Sequence, residues 1–198
     1  MSSVRMRIVG GRHRGRRLSA PGGLAVRPTA DRTREAVFNI LTRGKLDWRS
    51  GGAAPGDPLA GIHVLDAFAG TGALGLEALS RGAGRVIFME NQAAALTACR
   101  ANIGALDETA RAEVVTCDVL RPPPATVACS LVLMDPPYNQ DLAPPALGAL
   151  EGAGWLAPGA LAVVELMAKE PFTAPDGFAV LDERKYGKAR VVFLRAPD

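Results

Sequence analysis

From residue 61 onward the chain alternates short unbroken apolar runs with longer stretches whose apolar residues recur at helical spacing. The runs IHVLD (62–66), RVIFME (85–90), AEVVTC (112–117), LVLM (131–134), ALAVVEL (160–166), FAVLDER (178–184) and RVVFLR (190–195) predict seven strands. Most lack a polar alternate, which is the pattern of a sheet buried on both faces. Helical stretches near 72–81, 91–105 and 142–152 lie between them. Such alternation predicts a mostly parallel sheet with helices on both faces. The last two runs are joined only by KYGKA (185–189), too short for a crossover, so they are expected to pair as an antiparallel hairpin.

Before residue 61 the pattern changes. MRIVGG and GRRLSA have strand character on either side of a turn and predict a small hairpin. RPTADRTREAVFNILTR (27–43) predicts a helix that Thr29 or Asp31 caps, with Thr33, Val37, Ile40, Leu41 and Gly44 on one face. The Gly-, Pro-, Ser- and Asp-containing stretch 44–60 reads as a linker. The expected organisation is therefore an extension (1–49), a linker (50–60) and a main α/β domain (61–198).

Composition narrows the class only slightly. At 198 residues, 48% hydrophobic and 22% charged, the chain has the make-up of a soluble globular protein. No apolar run approaches the roughly 20 residues that cross a bilayer. The start, MSSVRMRIVGGRHRGRR, has charge but no apolar core of a secretory signal, so a cytoplasmic protein is expected. Cys99, Cys117 and Cys129 are odd in number and lack metal-ligand spacing, which suits small buried residues rather than disulfides or zinc.

Charge is more informative once divided along the chain. Residues 1–49 hold 12 Lys and Arg against 3 acidic residues, a net of +9; residues 50–198 hold 11 against 17, a net of −6. A basic extension on an acidic body predicts one face that meets a polyanion. Eleven of the 12 are Arg, which favours bidentate phosphate contacts and stacking on bases.

Two motifs carry chemistry. LDAFAGTGALGLEALSRG (65–82) passes from a strand through a glycine loop into a helix, and Gly70-Thr71-Gly72-Ala73-Leu74-Gly75 matches the G-x-G-x-x-G dinucleotide pattern. Glu90 follows 20 positions after Gly70, at the end of the next strand. Asp66, four residues before Gly70, would oppose a pyrophosphate but suits an ammonium group. Asp118, after the third strand, can accept from an adenine amine. Together these residues describe a ligand with an ammonium, a ribose and an adenine but no phosphate, as in S-adenosylmethionine.

The second motif is Asp135-Pro136-Pro137-Tyr138, directly after LVLM. Neither proline can donate to a sheet ladder, so the strand ends near Asp135 and a stiff loop with available carbonyls follows. Asp135 and the Pro136 carbonyl can accept the two hydrogens of an exocyclic amine and aim its lone pair, while Tyr138 stacks on the base.

DAFAGTG followed by DPPY resembles the class I, Rossmann-like S-adenosylmethionine methyltransferases that modify exocyclic amines of nucleobases, a group that includes adenine-N6, cytosine-N4 and guanine-N2 enzymes. The opening MRIVGGRHRGRRLSAP followed by RPTADRTREAVFNIL resembles the bacterial small-subunit rRNA guanine-N2 methyltransferases of the RsmD type. The similarity runs to KYGKARVVFLR and so covers nearly the whole chain. Departures are the Gly/Pro-rich stretch near 50–60 and Ala30, where the family commonly has a threonine.

The resemblance implies methylation of a guanine N2 amine in 16S rRNA, within the small ribosomal subunit or its assembly intermediate. The enzyme would act as a monomer, away from membranes. It assigns the catalytic role to Asp135, Pro136, Pro137 and Tyr138. The cofactor falls to Asp66, Phe68, Gly70, Gly72, Glu90 and Asp118, with no metal. RNA would be met by Arg12, Arg14, Arg16, Arg17, Arg27, Arg32 and Arg34. A DNA adenine-N6 methyltransferase remains the nearest alternative. An NAD-dependent oxidoreductase is more distant, because His13 and His63 are poorly placed as catalytic acids, and a non-catalytic RNA-binding protein would have no use for DPPY.

Overall fold

The structure is a computed structural model that describes residues 6–21, 28–43, 46, 48 and 58–198. Arg27, Gly44 and residues 50–57 of the expected linker lie outside the described residues, as do the side chains of Thr29 and Ala30.

Seven strands form a single sheet: β1 (His63–Ala67), β2 (Arg85–Glu90), β3 (Ala112–Thr116), β4 (Cys129–Met134), β5 (Leu156–Met167), β6 (Ala179–Tyr186) and β7 (Ala189–Arg195). Their order is β3-β2-β1-β4-β5-β7-β6. The first five are parallel, and β7 runs antiparallel to both β5 and β6. The β6–β7 hairpin turns through Gly187, whose φ of 61° is one that glycine adopts without strain. That hairpin was legible from KYGKA; the insertion of β7 between β5 and β6 was not.

Four α-helices, α1 (Pro28–Arg43), α2 (Ala73–Ser80), α3 (Ala93–Ala105) and α4 (Ala143–Gly152), and a short 3-10 helix (Thr109–Arg111) complete the described fold. The unbroken apolar runs of β1, β2 and β4 are explained by two cores, one on each sheet face. Residues from α1, α2 and α3 pack on one face around Phe38, Leu76, Leu79 and Ile103. On the other, α4 packs with Trp155, through Leu147 and Leu150. Gly75 allows α2 to close on β2, since a Cβ there would lie 2.4 Å from the Phe88 ring.

The basic extension joins the first of these cores. Residues 6–18 form an antiparallel ribbon with a bridge between Arg7 and Arg17, closed by Ile8 N–H to the Arg16 carbonyl at 2.9 Å and Leu18 N–H to the Met6 carbonyl at 2.9 Å. Ile8, Leu18, Val37, Phe38 and Leu41 are buried in one cluster with α2, α3 and the sheet. Burying each large side chain stabilises by about 1.5–3 kcal/mol, so the extension is held by packing as well as charge. The buried side of α1 is wider than periodicity suggested: Arg34 and Phe38 are buried, whereas Ile40 is only half-buried.

Two buried carboxylates fasten the ribbon. Glu77 of α2, fully buried, accepts from Val9 N–H at 2.8 Å and from Arg81 Nε at 2.7 Å, with Arg34 Nε at 3.7 Å. Glu108 takes Arg12, His13 Nε2 at 2.6 Å and Arg111 Nη2 at 2.5 Å. Arg12 N–H donates to the Ser80 carbonyl at the end of α2, and Thr71 in the glycine loop contacts Met6. The ribbon therefore lies along α2, with its turn toward the amino ends of the strands and its open end toward their carboxyl ends.

Candidate active site

The carboxyl ends of β1, β2 and β4 place the glycine loop, Glu90 and the DPPY loop on one edge, the edge on which open α/β sheets bind ligands. Phe68, Gly70 and Gly72 all have positive φ, of 60°, 54° and 81°. For Phe68 that conformation costs about 1–2 kcal/mol, strain of the kind that collects where a loop must hold a special shape. A Cβ on Gly70 would meet nothing within 4 Å, so the loop opens onto free space there. A Cβ on Gly72 would lie 2.9 Å from Cys99 Sγ, so Gly72 closes the loop against α3.

Acidic groups hold this loop by its amides. Glu90, 9% exposed, accepts Gly70 N–H at 2.8 Å on one oxygen and Asn91 and Gln92 N–H, both at 2.8 Å, on the other. Asp66, 1% exposed, accepts Gly75 N–H at 2.8 Å. Burial pushes the Asp66 carboxyl up to about 8; the Gly75 hydrogen bond opposes this, the Glu90 charge adds to it and Arg34 opposes it again. Desolvation is the largest of these effects, and the Gly75 amide and the Arg34 charge together do not replace the lost water. Asp118 is exposed after β3 and accepts Leu120 N–H at 3.0 Å, which shapes the turn there. Burial also pushes the Cys99 and Cys129 thiols up to about 12, which leaves them unreactive.

At the end of β4, Asp135 and Pro137 are exposed, Pro136 is buried and Tyr138 is half-buried. The Tyr138 hydroxyl donates to Glu165 Oε1 of β5 at 2.9 Å. The loop then turns back through Asn139 and Asp141, with φ of 57° and 51°, conformations that these side chains tolerate better than most.

The residues assembled here fit a phosphate-free nucleoside. Carboxylates at three strand ends repel a pyrophosphate but suit an ammonium and hydroxyl donors, and the glycine backbone leaves room for close approach.

The arginines divide. Arg14, Arg17 and Arg32 are exposed. Arg16 is also exposed and donates to the Ala105 carbonyl at 2.5 Å. Arg12 is half-exposed but tied to Glu108. Arg34 corrects the expectation of an RNA-facing group: only 4% exposed, it donates to the Arg7 carbonyl and to Asp31 Oδ1, both at 2.7 Å, and stands beside Glu77. Asp31 and the buried Glu77 hold it inward, and a cation so enclosed cannot reach RNA.

Sequence reasoning passed over Glu77, Glu108, Asn102 and Glu165. Asn102, 2% exposed, donates to the Thr71 and Ser19 carbonyls at 2.9 and 3.0 Å and so joins the ribbon to the glycine loop. One signal was available: a glutamate inside the otherwise apolar helix ALGLEALS calls for a buried partner. A groove of about 470 Å³ lined by Gly11, Arg12, Asn39, Arg43, Ser80 and Arg81 opens between the ribbon turn, α1 and α2, away from this edge.

A family model described as "Conserved hypothetical protein 95" matches residues 6–195. The chain is 33% identical over 189 residues to the ribosomal RNA small subunit methyltransferase D of Haemophilus influenzae, covering 92% of this chain and 89% of that protein. It is 34% identical over 188 residues to the protein of the same name in Escherichia coli K12, covering 94% and 87%. Among solved structures, the putative methyltransferase yhhF from Escherichia coli superposes with a TM-score of 0.77 at 31% identity, over 98% of both chains.

Proposed function

Because the chain belongs to the conserved hypothetical protein 95 family, alongside small-subunit rRNA methyltransferases D, we propose that it methylates the N2 amine of a guanine in 16S rRNA, using S-adenosylmethionine. Its sheet order with an antiparallel β7 is that of the class I methyltransferases. The observation that carries the proposal is the meeting of the DPPY loop and the amide-bound carboxylates Asp66 and Glu90 on one sheet edge.

The cofactor supplies an electrophilic sulfonium methyl. Glu90 would receive its ribose hydroxyls, Asp118 its adenine amine and Asp66 its ammonium, while Gly70 and Gly72 would let the backbone come close and Phe68 would flank the adenosine. Asp135 and the Pro136 carbonyl accept the two amine hydrogens and direct the nitrogen lone pair at the methyl. An amine conjugated with its ring is a weak nucleophile, so this alignment is the main contribution the chain makes. Pro137 keeps the loop stiff, and Tyr138 stacks on the extruded base. The chain's part is to keep the nitrogen lone pair turned toward the methyl that the cofactor would supply, with Asp135 placed to take the proton that the nitrogen would give up as it gains the methyl.

Arg12, Arg14, Arg16, Arg17 and Arg32, with Arg27, meet RNA phosphates. The ribbon turn sits about one length of α2, roughly 12 Å, from the catalytic edge, so its arginines position the substrate without touching the target base. Among the described residues no helix is long and apolar enough to cross a membrane. The enzyme works as a monomer in the cytoplasm on the small subunit or its assembly intermediate.

An oxidoreductase is disfavoured by position, since His13 is bound to Glu108 and His63 opens β1 at the far edge. Calorimetry is expected to give binding of S-adenosylhomocysteine and none of NAD. Methyl label is expected in small subunits and not in duplex DNA; label in DNA adenine would instead favour the adenine-N6 alternative.

A further inference from the structure

We propose that Glu165 sets the base specificity of this site by accepting a hydrogen bond from the ring N1–H of guanine. The role rests on the guanine-N2 assignment above.

Strands β4 and β5 pair Leu131 with Leu161, Leu133 with Val163 and Met134 with Val164. Asp135 and Glu165 are the next residues in that register. Leu131, Leu133, Leu161 and Val163 belong to one core, while Val132, Met134, Ala162 and Val164 belong to the other. By strand alternation, Asp135 and Glu165 continue the first set and emerge on the same face. Neighbouring strands lie about 4.8 Å apart, so the two carboxylates stand within the width of one purine. Glu165 is half-buried, and its bond to the Tyr138 hydroxyl ties it to the ring that stacks on the base. A carboxylate offers about four acceptor sites, so a bond from Tyr138 is compatible with a second bond from a base.

Base chemistry decides what this arrangement reads. Guanine presents a ring N–H beside its exocyclic amine, so three donors stand in a row on one edge. Adenine and cytosine present a ring nitrogen lone pair beside theirs. Asp135, the Pro136 carbonyl and Glu165 are three acceptors, a set that matches the three donors of guanine and repels the other two.

The test uses small subunits reconstituted with either guanine or 2-aminopurine at the methylated position. 2-Aminopurine keeps the 2-amino group but carries a lone pair at N1. Wild-type protein is expected to favour guanine by about a hundredfold or more in kcat/KM, as sites built around a donor do. Glu165→Gln can donate its amide N–H to that lone pair and is expected to bring the two substrates within about tenfold, with S-adenosylhomocysteine affinity unchanged. The readout is a ratio between substrates for one protein, so partial misfolding cancels and a merely structural role would leave the ratio alone. Tyr138→Phe, which removes the tether but keeps the carboxylate, is expected to lower the ratio by a smaller factor. Equal use of both substrates by wild type, or an unaltered ratio in Glu165→Gln, overturns the role. Absence of N2-methylguanine with wild-type protein is a different result and overturns the guanine-N2 assignment itself.

Discussion

Asp66 and Glu90, at the carboxyl edge, and Glu77 and Glu108, under the ribbon, are four buried carboxylates with opposite kinds of partner. The first pair is bound by backbone amides of the glycine loop and its surroundings. The second pair is enclosed by Arg34 and Arg81 and by Arg12, Arg111 and His13. An amide leaves a carboxyl able to respond to a ligand, as at Asp66, whose titration burial raises to about 8, whereas an arginine neutralises it. A carboxylate held by amides is positioned but still attractive to an ammonium or a hydroxyl; one held by arginines is a fastening. The same difference explains why the arm's charge of +9 overstates what RNA can meet, since Arg34 is enclosed between Asp31 and Glu77.

Replacing Asp135, the proposed acceptor for the amine, should have the largest effect. Asp135→Ala is expected to lower methyl transfer by about a thousandfold, the scale of losing a transition-state acceptor, while calorimetry with S-adenosylhomocysteine stays within a few-fold of wild type. Full activity in that variant would remove Asp135 from the mechanism.

The fastening pair should report in stability. Glu77→Gln leaves Arg81 without its charge partner and Arg34 with Asp31 alone, and is expected to cost about 3–5 kcal/mol in denaturant unfolding. Glu90→Gln, by contrast, should weaken S-adenosylhomocysteine binding by about 10–100-fold, the scale of one missing charge-assisted hydrogen bond, with a far smaller stability change. If the two substitutions exchanged signatures, the distinction between fastening and site would fail.

pH separates the pairs further. The Asp66 carboxyl is raised from 3.8 to about 8, so the stability tied to its buried neutral form is fully present below pH 3.8 and is lost as pH rises through about 8. The melting temperature of Asp66→Asn minus that of wild type should therefore grow across that window. An ammonium beside Asp66 favours its ionised form, so wild-type binding of S-adenosylhomocysteine should tighten as pH approaches 8, with a weaker dependence in Asp66→Asn.

The smallest effect belongs to the exposed arginines. Arg14→Ala with Arg17→Ala should leave the melting temperature unchanged and reduce the salt slope of subunit binding by about one for each phosphate that is no longer neutralised.

Strands were legible where burial on both faces leaves unbroken apolar runs, and β2 has the expected bounds, Arg85–Glu90. The start of β5 was hidden because Pro158 and Gly159 interrupt Leu156–Met167, and pairing of Cys129 with Leu156 before a register shift also extends β4 backward. In the site, the glycine loop and DPPY were legible because glycine and proline constrain the backbone locally. Glu77, Glu108 and Glu165 were not, since their partners are distant in sequence: Val9 lies 68 residues from Glu77, and Tyr138 lies 27 from Glu165. Arg34 misled for the same reason, because composition counts charges without saying which way they point.

The most direct test of the central claim is to incubate the protein and a labelled methyl donor with small subunits from a strain lacking this gene, and to map the product by mass spectrometry. One N2-methylguanine in 16S rRNA is the expected result. Label on an adenine or cytosine amine, or subunits left unmodified by a folded protein that binds S-adenosylhomocysteine, would contradict it.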